Sequence, residues 1–143
     1  LVVSFLLDES GFTILVFTIA TTSFASNPQI RTCNITNGHF WALDMFNDNV
    51  GFCNYNGAML DSQSIMDKIY DDKTTKAVAA VLNARTYNTC ESMNAIEFVA
   101  TDSNDRNFVL CAFSDNSYLL KRSLIEGPFS RFNGLLVEAL NFQ

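Results

Sequence analysis

The spacing of four cysteines constrains the fold of this chain more than any other feature. Cys33, Cys53, Cys90 and Cys111 are separated by 20, 37 and 21 positions, and none belongs to a C-x-x-C motif. Because no pair of histidines stands near them, the spacing does not supply the four ligands of a tetrahedral zinc site. An even number of cysteines in an exported chain indicates two disulfides, and three pairings are open. Four buried free thiols in a cytosolic protein are the alternative interpretation.

The first 25 residues bear on which compartment the protein occupies. Residues 11–25 form an apolar run that ends in small side chains, as the hydrophobic region of a signal peptide does. As a helix this run would span about 22 Å, less than the roughly 30 Å hydrocarbon core of a membrane. Asp8 and Glu9 stand where positive charge is usual, so a membrane anchor and a buried native segment stay open as alternatives. We expect a signal peptide over residues 1–25 and a secreted single domain over residues 26–143, with no stable membrane association.

Composition and charge exclude several classes of function. With 48% hydrophobic and 17% charged residues, the 143-residue chain has enough apolar side chains for a folded domain. Its formal net charge of −6 argues against sequence-independent binding to DNA, which needs many cations facing the phosphates. The sequence contains no H-E-x-x-H, G-x-x-x-x-G-K-[ST], G-x-G-x-x-G or G-x-S-x-G motif. We therefore expect neither a metal nor a cofactor.

Local patterns before Cys90 predict a hairpin followed by a helix. Two short apolar stretches, residues 39–46 and 50–54, flank a turn of asparagine and aspartate. Asp61 or Ser62 can cap a helix whose apolar residues then recur at helical spacing. The pattern falters over residues 71–76 and resumes afterwards, so one long helix or two short ones would fit. We expect a single broken helix.

After Cys90 the apolar period changes from helical spacing to two. Residues 95–101, 107–113 and 118–125 are strand-like, and the two links between them are dense in turn-forming residues. A fourth strand is predicted around residues 135–137. Since short links make neighbouring strands antiparallel, we predict an α+β fold: an N-terminal β-hairpin and one broken helix packed on an antiparallel sheet of three or four strands, stabilised by disulfides.

The order of these elements resembles one known family. The segment CNYNG at residues 53–57 leads into the helix from Asp61, and antiparallel strands follow. Over residues 53–138 the chain resembles the secreted ribonuclease-like effectors of fungal plant pathogens, especially powdery mildews, whose fold is related to the small guanyl-specific fungal ribonucleases. Glu97, within Ile-Glu-Phe, resembles the catalytic glutamate of the active enzymes. Arg106, within Asp-Arg, resembles the arginine that contacts the phosphate.

The chain departs from that family at the catalytic acid. The active enzymes use a histidine late in the sheet, whereas the only histidine here is His39, and Lys121, Arg122 and Ser123 occupy the candidate positions. Loss of a general acid lowers the rate by a factor of about 10² to 10⁴. Near the mature N-terminus, Arg-Thr-Cys replaces the aromatic-x-Cys start of many mildew effectors. We therefore predict a secreted protein with an inactive ribonuclease-like scaffold. It would bind a host protein or RNA, either outside the host cell or after delivery into it.

Two alternative functions and one modification site complete the predictions. An active ribonuclease would use Glu97 as base with Arg106 and His39, and a ligand-binding or inhibitor domain would need an apolar pocket between helix and sheet. A binding role would draw on Arg106, Lys121 and Arg122 as a small basic patch. The one N-glycosylation sequon begins at Asn34.

Overall fold

The computed structural model describes residues 27–84 and 88–142 of the chain. The predicted signal peptide, residues 1–25, lies outside the described residues. Within them the elements follow in this order: α1 (Pro28–Ile35), β1 (His39–Met45), β2 (Asp48–Tyr55), β3 (Ala58–Asp61), α2 (Ser62–Asp71), α3 (Lys76–Leu82), a 3-10 turn (Glu91–Met93), β4 (Ile96–Thr101), β5 (Asn107–Ala112), β6 (Tyr118–Leu120), α4 (Lys121–Glu126), a second 3-10 turn (Arg131–Asn133) and α5 (Gly134–Leu140).

The strands form a closed antiparallel barrel in the order β1-β2-β3-β6-β5-β4. The predicted N-terminal hairpin is confirmed, because β1 and β2 pair along their whole length. Its turn consists of Phe46 and Asn47, both with positive φ (53° and 75°). Two seams close the barrel, each through one residue pair: Asp44 opposite Thr101 between β1 and β4, and Leu60 opposite Leu119 between β3 and β6.

The predicted α+β class and the strands β4 and β5 are confirmed, but the helical part of the prediction is wrong. Instead of one broken helix, the chain forms two separate helices, α2 and α3. Asp72 ends α2 in the left-handed conformation (φ 49°). The next helix starts with a cap of its own, since the side chain of Thr75 accepts a hydrogen bond from the amide of Val78 (3.5 Å). The break in the apolar pattern therefore marks the end of α2 and the start of α3.

The C-terminal third is helical where strands were predicted. The third strand of the prediction, residues 118–125, stops at Leu120, and α4 begins with the next residue. The predicted fourth strand around residues 135–137 is part of α5, whose buried residues Leu136, Ala139 and Leu140 recur at intervals of three and four. That interval is helical, and a seven-residue helix offers too few repeats for it to stand out.

Two further elements, α1 and β3, escaped prediction. Within the described residues the sheet has six strands instead of the predicted three or four, because β3 and the N-terminal hairpin are part of it. The side chain of Asn27 caps α1 by accepting hydrogen bonds from the amides of Gln29 (3.0 Å) and Ile30 (3.2 Å). The strand β3 returns from β2 through a tight turn at Asn56 and Gly57, with φ of 57° and 110°. Asparagine followed by glycine is the usual pair for such hairpin turns.

Alternating strand residues divide the core into two clusters on the two faces of the sheet. Leu43, Phe52 and Leu110 are among the residues that fill the barrel interior. The opposite face packs against the helices, where Tyr55 and Leu60 of the sheet share a cluster with Leu136 of α5. None of the helices in the described ranges has the length and apolar composition needed to cross a membrane.

The predicted disulfides are confirmed, and the structure selects one of the three possible pairings. Cys33 bonds to Cys53 and so ties α1 to β2, while Cys90 bonds to Cys111 and ties the first 3-10 turn to β5. All four cysteines are fully buried in the helix-side cluster. Each bridge therefore fastens a segment outside the barrel onto a barrel strand.

Candidate functional site

The three cations of the predicted basic patch occupy different surroundings. Lys121 forms an ion pair with Glu97 (Nζ to Oε1, 2.7 Å) at the start of β4. Arg106 pairs with Asp102 (Nε to Oδ2, 2.8 Å) beyond the other end of that strand. Five residues of extended strand separate the two carboxylates by about 16 Å. The structure therefore does not gather Arg106 with Lys121 into one patch.

His39 and Glu97 also lie far apart. The strands β1 and β4 run antiparallel and meet where Asp44 is opposite Thr101. From this pair, His39 lies five residues along β1 in one direction, and Glu97 lies four residues along β4 in the opposite direction. At about 3.3 Å per residue, about 30 Å of strand lies between the two positions. His39, Glu97 and Arg106 thus do not line one surface at catalytic distance.

Asp102 organises the turn between β4 and β5, where Arg106 lies. Its carboxylate accepts hydrogen bonds from the amides of Asn104 and Arg106 (both 2.9 Å) as well as from the Arg106 side chain. Loss of solvent raises the pKa of Asp102. The hydrogen bonds lower it by a larger amount, so the pKa of Asp102 lies below its ordinary value. The guanidinium carbon of Arg106 lies 4.8 Å from the ring centroid of Trp41. Arg106 thus serves the turn and covers an aromatic ring.

Arg122, the third predicted cation, lines a surface groove of about 410 Å³. We call it the Arg122 groove. The turn between β2 and β3, the helix α4, the second 3-10 turn and the start of α5 form its walls. Its lining residues are Tyr55, Asn56, Arg122, Glu126, Ser130, Arg131, Phe132 and Leu135. Segments nearly 70 positions apart in the sequence thus meet around two arginines.

The guanidinium of Arg122 is held in place from two sides. Its central carbon lies 4.0 Å from the ring centroid of Phe132, a cation–π stack. Its Nε lies 3.5 Å from Oε2 of Glu126, one helical turn away in α4. The other oxygen of Glu126 accepts a hydrogen bond from the Ser130 hydroxyl (2.8 Å). Among the residues that the structure describes, these contacts use one edge of the guanidinium and leave its two terminal nitrogens for an external acceptor.

Buried contacts hold the far wall of the groove. The amide of Asn133 donates to the carbonyls of Ser123 (2.8 Å) and Gly127 (2.7 Å), and so ties the second 3-10 turn to α4. Tyr55 shares a hydrogen bond of 2.8 Å with the hydroxyl of Thr36. Burial raises the pKa of Tyr55 to about 12, although the Thr36 hydrogen bond opposes that shift. The phenol therefore stays protonated at physiological pH.

Apolar side chains that neighbour the groove residues in the sequence are exposed. The side chain of Phe129 is 99% exposed, and Ile125 on α4 is half exposed. Leu135, which lines the groove, is also exposed in part. A fully exposed phenylalanine side chain does not stabilise the fold by burial. This surface is therefore a candidate for contact with another molecule.

No protein-family model, curated protein or solved structure matches this chain. The candidate site therefore rests on the residues themselves.

Sequence patterns identified only one residue of this site, Arg122. Opposite charges four positions apart, as at Arg122 and Glu126, are typical of a helix, but the apolar pattern predicts a strand over residues 118–125. Arg131 and Phe132 follow a serine that caps the second 3-10 turn. Nothing in the local sequence links them to Asn56. Their proximity is a product of the tertiary fold.

The sequon asparagine is accessible. Asn34 is exposed in the last turn of α1, whereas Thr36 is buried. The Thr36 hydroxyl lies within hydrogen-bond distance of the carbonyls of Thr32 (2.8 Å) and Cys33 (3.0 Å). The acceptor side chain of the sequon thus faces solvent, while its threonine belongs to the core.

Proposed function

We propose that this chain is an exported, effector-like protein that uses a ribonuclease-like scaffold to bind a host protein and does not cleave RNA. The observation that carries the proposal is the Arg122 groove, together with the wholly exposed Phe129, which directly precedes the groove residue Ser130 in the sequence. Aromatic and arginine side chains are enriched in protein interfaces, and here they are presented on a surface tied down by Asn133. Fixing such side chains before binding lowers the entropy lost on association.

The placement of the predicted catalytic residues supports a binding role. Glu97 is paired with Lys121, and His39 lies at the distant end of β1. General acid–base cleavage needs both groups within hydrogen-bond reach of one substrate. Their separation in this fold is therefore a reason to favour binding over catalysis.

Charge favours a protein over RNA as the partner. The chain carries a formal net charge of −6. The Arg122 groove holds Arg122 and Arg131 but also Glu126, so its local excess is one positive charge. RNA binding draws its affinity from the neutralisation of many phosphates, which this surface does not offer.

Export is supported by the redox state of the cysteines. Both disulfides lie in the core, and such bridges form and persist mainly in oxidising compartments. An effector that crosses the extracellular space would benefit from two bridges that restrict its unfolded state.

An RNA cleavage assay tests the catalytic half of the proposal. The secreted protein, with both disulfides intact, is incubated with total RNA alongside the Glu97→Gln and His39→Ala variants. We expect no cleavage above that of the variants and no retention of RNA at physiological salt. Cleavage that is lost in either variant would overturn the proposal in favour of an active ribonuclease.

Partner capture in host cells tests the binding half. The protein is compared with Arg122→Gln and Phe129→Ala variants, and with Lys73→Gln as a matched control on an exposed loop. We expect one set of proteins to be captured by the wild type and the control but lost from both groove-side variants. The captured protein must then bind the purified chain directly. Equal capture by all four proteins would contradict a role for this surface.

A further inference from the structure

We infer that the Arg122 groove receives a single carboxylate from an acidic residue of the partner, flanked by an apolar residue. The inference rests on the proposed function and specifies the chemistry of the partner. It concerns the ligand of the groove, whereas the proposed function concerns only whether this surface binds a protein.

The geometry of Arg122 favours a carboxylate. A guanidinium and a carboxylate match as two parallel N–H···O bonds when two donors of the arginine are available. The Phe132 ring supports one face of Arg122, and Glu126 accepts from Nε, so the terminal nitrogens are oriented by the protein. Arg131 lines the same groove and supplies the second positive charge.

Charge balance favours a monoanion over a phosphate. Glu126 already occupies one side of the groove, so two arginines and one carboxylate leave an excess of one positive charge. A carboxylate neutralises that excess. A phosphomonoester carries a charge of about −1.5 to −2 at neutral pH. Its binding would therefore leave the groove with a net negative charge next to the Glu126 carboxylate. The −6 charge of the chain acts in the same direction.

The walls of the groove favour an apolar neighbour for the acidic residue. Phe132 and Leu135 line the groove, and Ile125 and Phe129 are exposed close by in the sequence. A volume of about 410 Å³ lies in the lower part of the range for ligand sites. It therefore suits a short stretch of chain, one acidic side chain and one aliphatic side chain.

Binding of defined peptides to the intact protein tests the inference. The probe is an acetylated and amidated Leu-Glu-Leu tripeptide, and the comparison ligands are its glutamine counterpart, its phosphoserine counterpart and a hexauridylate. Amide chemical shifts of Asn56, Gly57, Arg131 and Phe132 report occupancy of the groove. We expect saturable shifts with the glutamate peptide, and at least tenfold weaker binding of the glutamine peptide.

Variants separate this inference from the proposed function. Arg122→Gln and Arg131→Gln should each lower the affinity for the glutamate peptide at least tenfold, while Lys73→Gln should leave that affinity unchanged. Absence of saturable shifts with the glutamate peptide, or tighter binding of the phosphoserine peptide or the hexauridylate, would overturn the carboxylate assignment. If the peptide fails but Arg122→Gln still abolishes partner capture, the proposed function stands and only the ligand chemistry is wrong.

Discussion

The buried carboxylate of Asp61 accepts a hydrogen bond from the backbone amide of Tyr118, 2.9 Å away, and so joins residues 57 positions apart. The same carboxylate caps α2 by accepting from the amide (3.0 Å) and the hydroxyl (2.7 Å) of Ser64. One side chain thus fixes both the start of a helix and the short strand β6. Burial raises the pKa of Asp61 to about 6, even though these hydrogen bonds oppose the shift.

This raised pKa predicts a fall in stability between pH 4 and about 6.5. Because the folded state binds the Asp61 proton more tightly than the unfolded state, the stabilising contribution is complete below pH 4 and is lost as the pH rises through 6. The shift corresponds to about 3 kcal/mol in the free energy of unfolding, at about 1.4 kcal/mol per pKa unit. Urea unfolding across this pH range measures it.

The control for Asp61 is the pH slope in two variants. Asp61→Asn should lack the decline between pH 4 and 6.5, whereas Asp71→Asn, at an exposed position, should keep it. Asp102 and Asp115 have lowered pKa values, so their contributions are present above about pH 4 and lost below it. Together these groups place maximal stability between about pH 4 and 5. Parallel curves for the wild type and Asp61→Asn would contradict the assignment.

The sequence predicted those parts of the fold whose signals are local. A turn of asparagine and aspartate between two apolar runs was enough for the first hairpin, and alternation in period two was enough for β4 and β5. The same interpretation fails at residues 118–125, because the three-residue strand β6 is followed directly by the six-residue helix α4 and neither is long enough to show its own period. Short apolar runs do not distinguish strand from helix.

The candidate site was less predictable than the fold. Its parts come from the turn at Asn56, from α4 and from the second 3-10 turn, and tertiary contacts that include the pairing of β3 with β6 bring them together. One pair of residues, Leu60 and Leu119, makes that seam. No local sequence pattern predicts a contact of this kind. The sequence therefore indicates Arg122 as a candidate binding residue but does not predict which residues surround it.

Asp102 should matter more for stability than the arginine it pairs with. Asp102→Ala removes the acceptor of two backbone amides and one guanidinium nitrogen, whereas Arg106→Ala keeps both amide bonds and removes the guanidinium with its contacts to Asp102 and Trp41. We expect a larger drop in Tm for Asp102→Ala, measured by thermal unfolding at pH 7. Equal drops for the two variants would mean that the ion pair, and not the turn, is what Asp102 stabilises.

The two disulfides should contribute similar stability but protect different segments. They close loops of nearly equal length, with separations of 20 and 21 residues, so loss of either should lower the free energy of unfolding by about 3 kcal/mol. In hydrogen exchange, Cys33→Ala with Cys53→Ala should expose α1. Cys90→Ala with Cys111→Ala should instead expose residues 88–95. Loss of protection across the whole barrel in both variants would contradict this local role.

Asn34 should carry an N-linked glycan when the chain is made in a eukaryotic secretory pathway. Its side chain is exposed, so a glycan meets no obstacle in the folded protein. Intact mass before and after treatment with an amidase that removes N-glycans measures occupancy. Asn34→Gln should remove the glycan with little change in Tm, whereas Thr36→Ala should also destabilise the fold, because Thr36 bonds to Tyr55. An unglycosylated wild-type product would contradict the prediction.

Gly57→Ala should both destabilise the fold and disturb the Arg122 groove. Gly57 has a φ of 110°, which L side chains rarely adopt, and a Cβ there would lie 3.1 Å from the ring of Phe132. We expect a loss of about 1–3 kcal/mol in the free energy of unfolding, and weaker binding of the glutamate peptide as the ring shifts beneath Arg122.

Gly134→Ala is the matched control, because Gly134 has helical φ and its Cβ would have no neighbour within 4 Å. It should leave stability unchanged or raise it by up to about 1 kcal/mol. If both alanine variants bind the peptide like the wild type, the position of Phe132 does not control the groove.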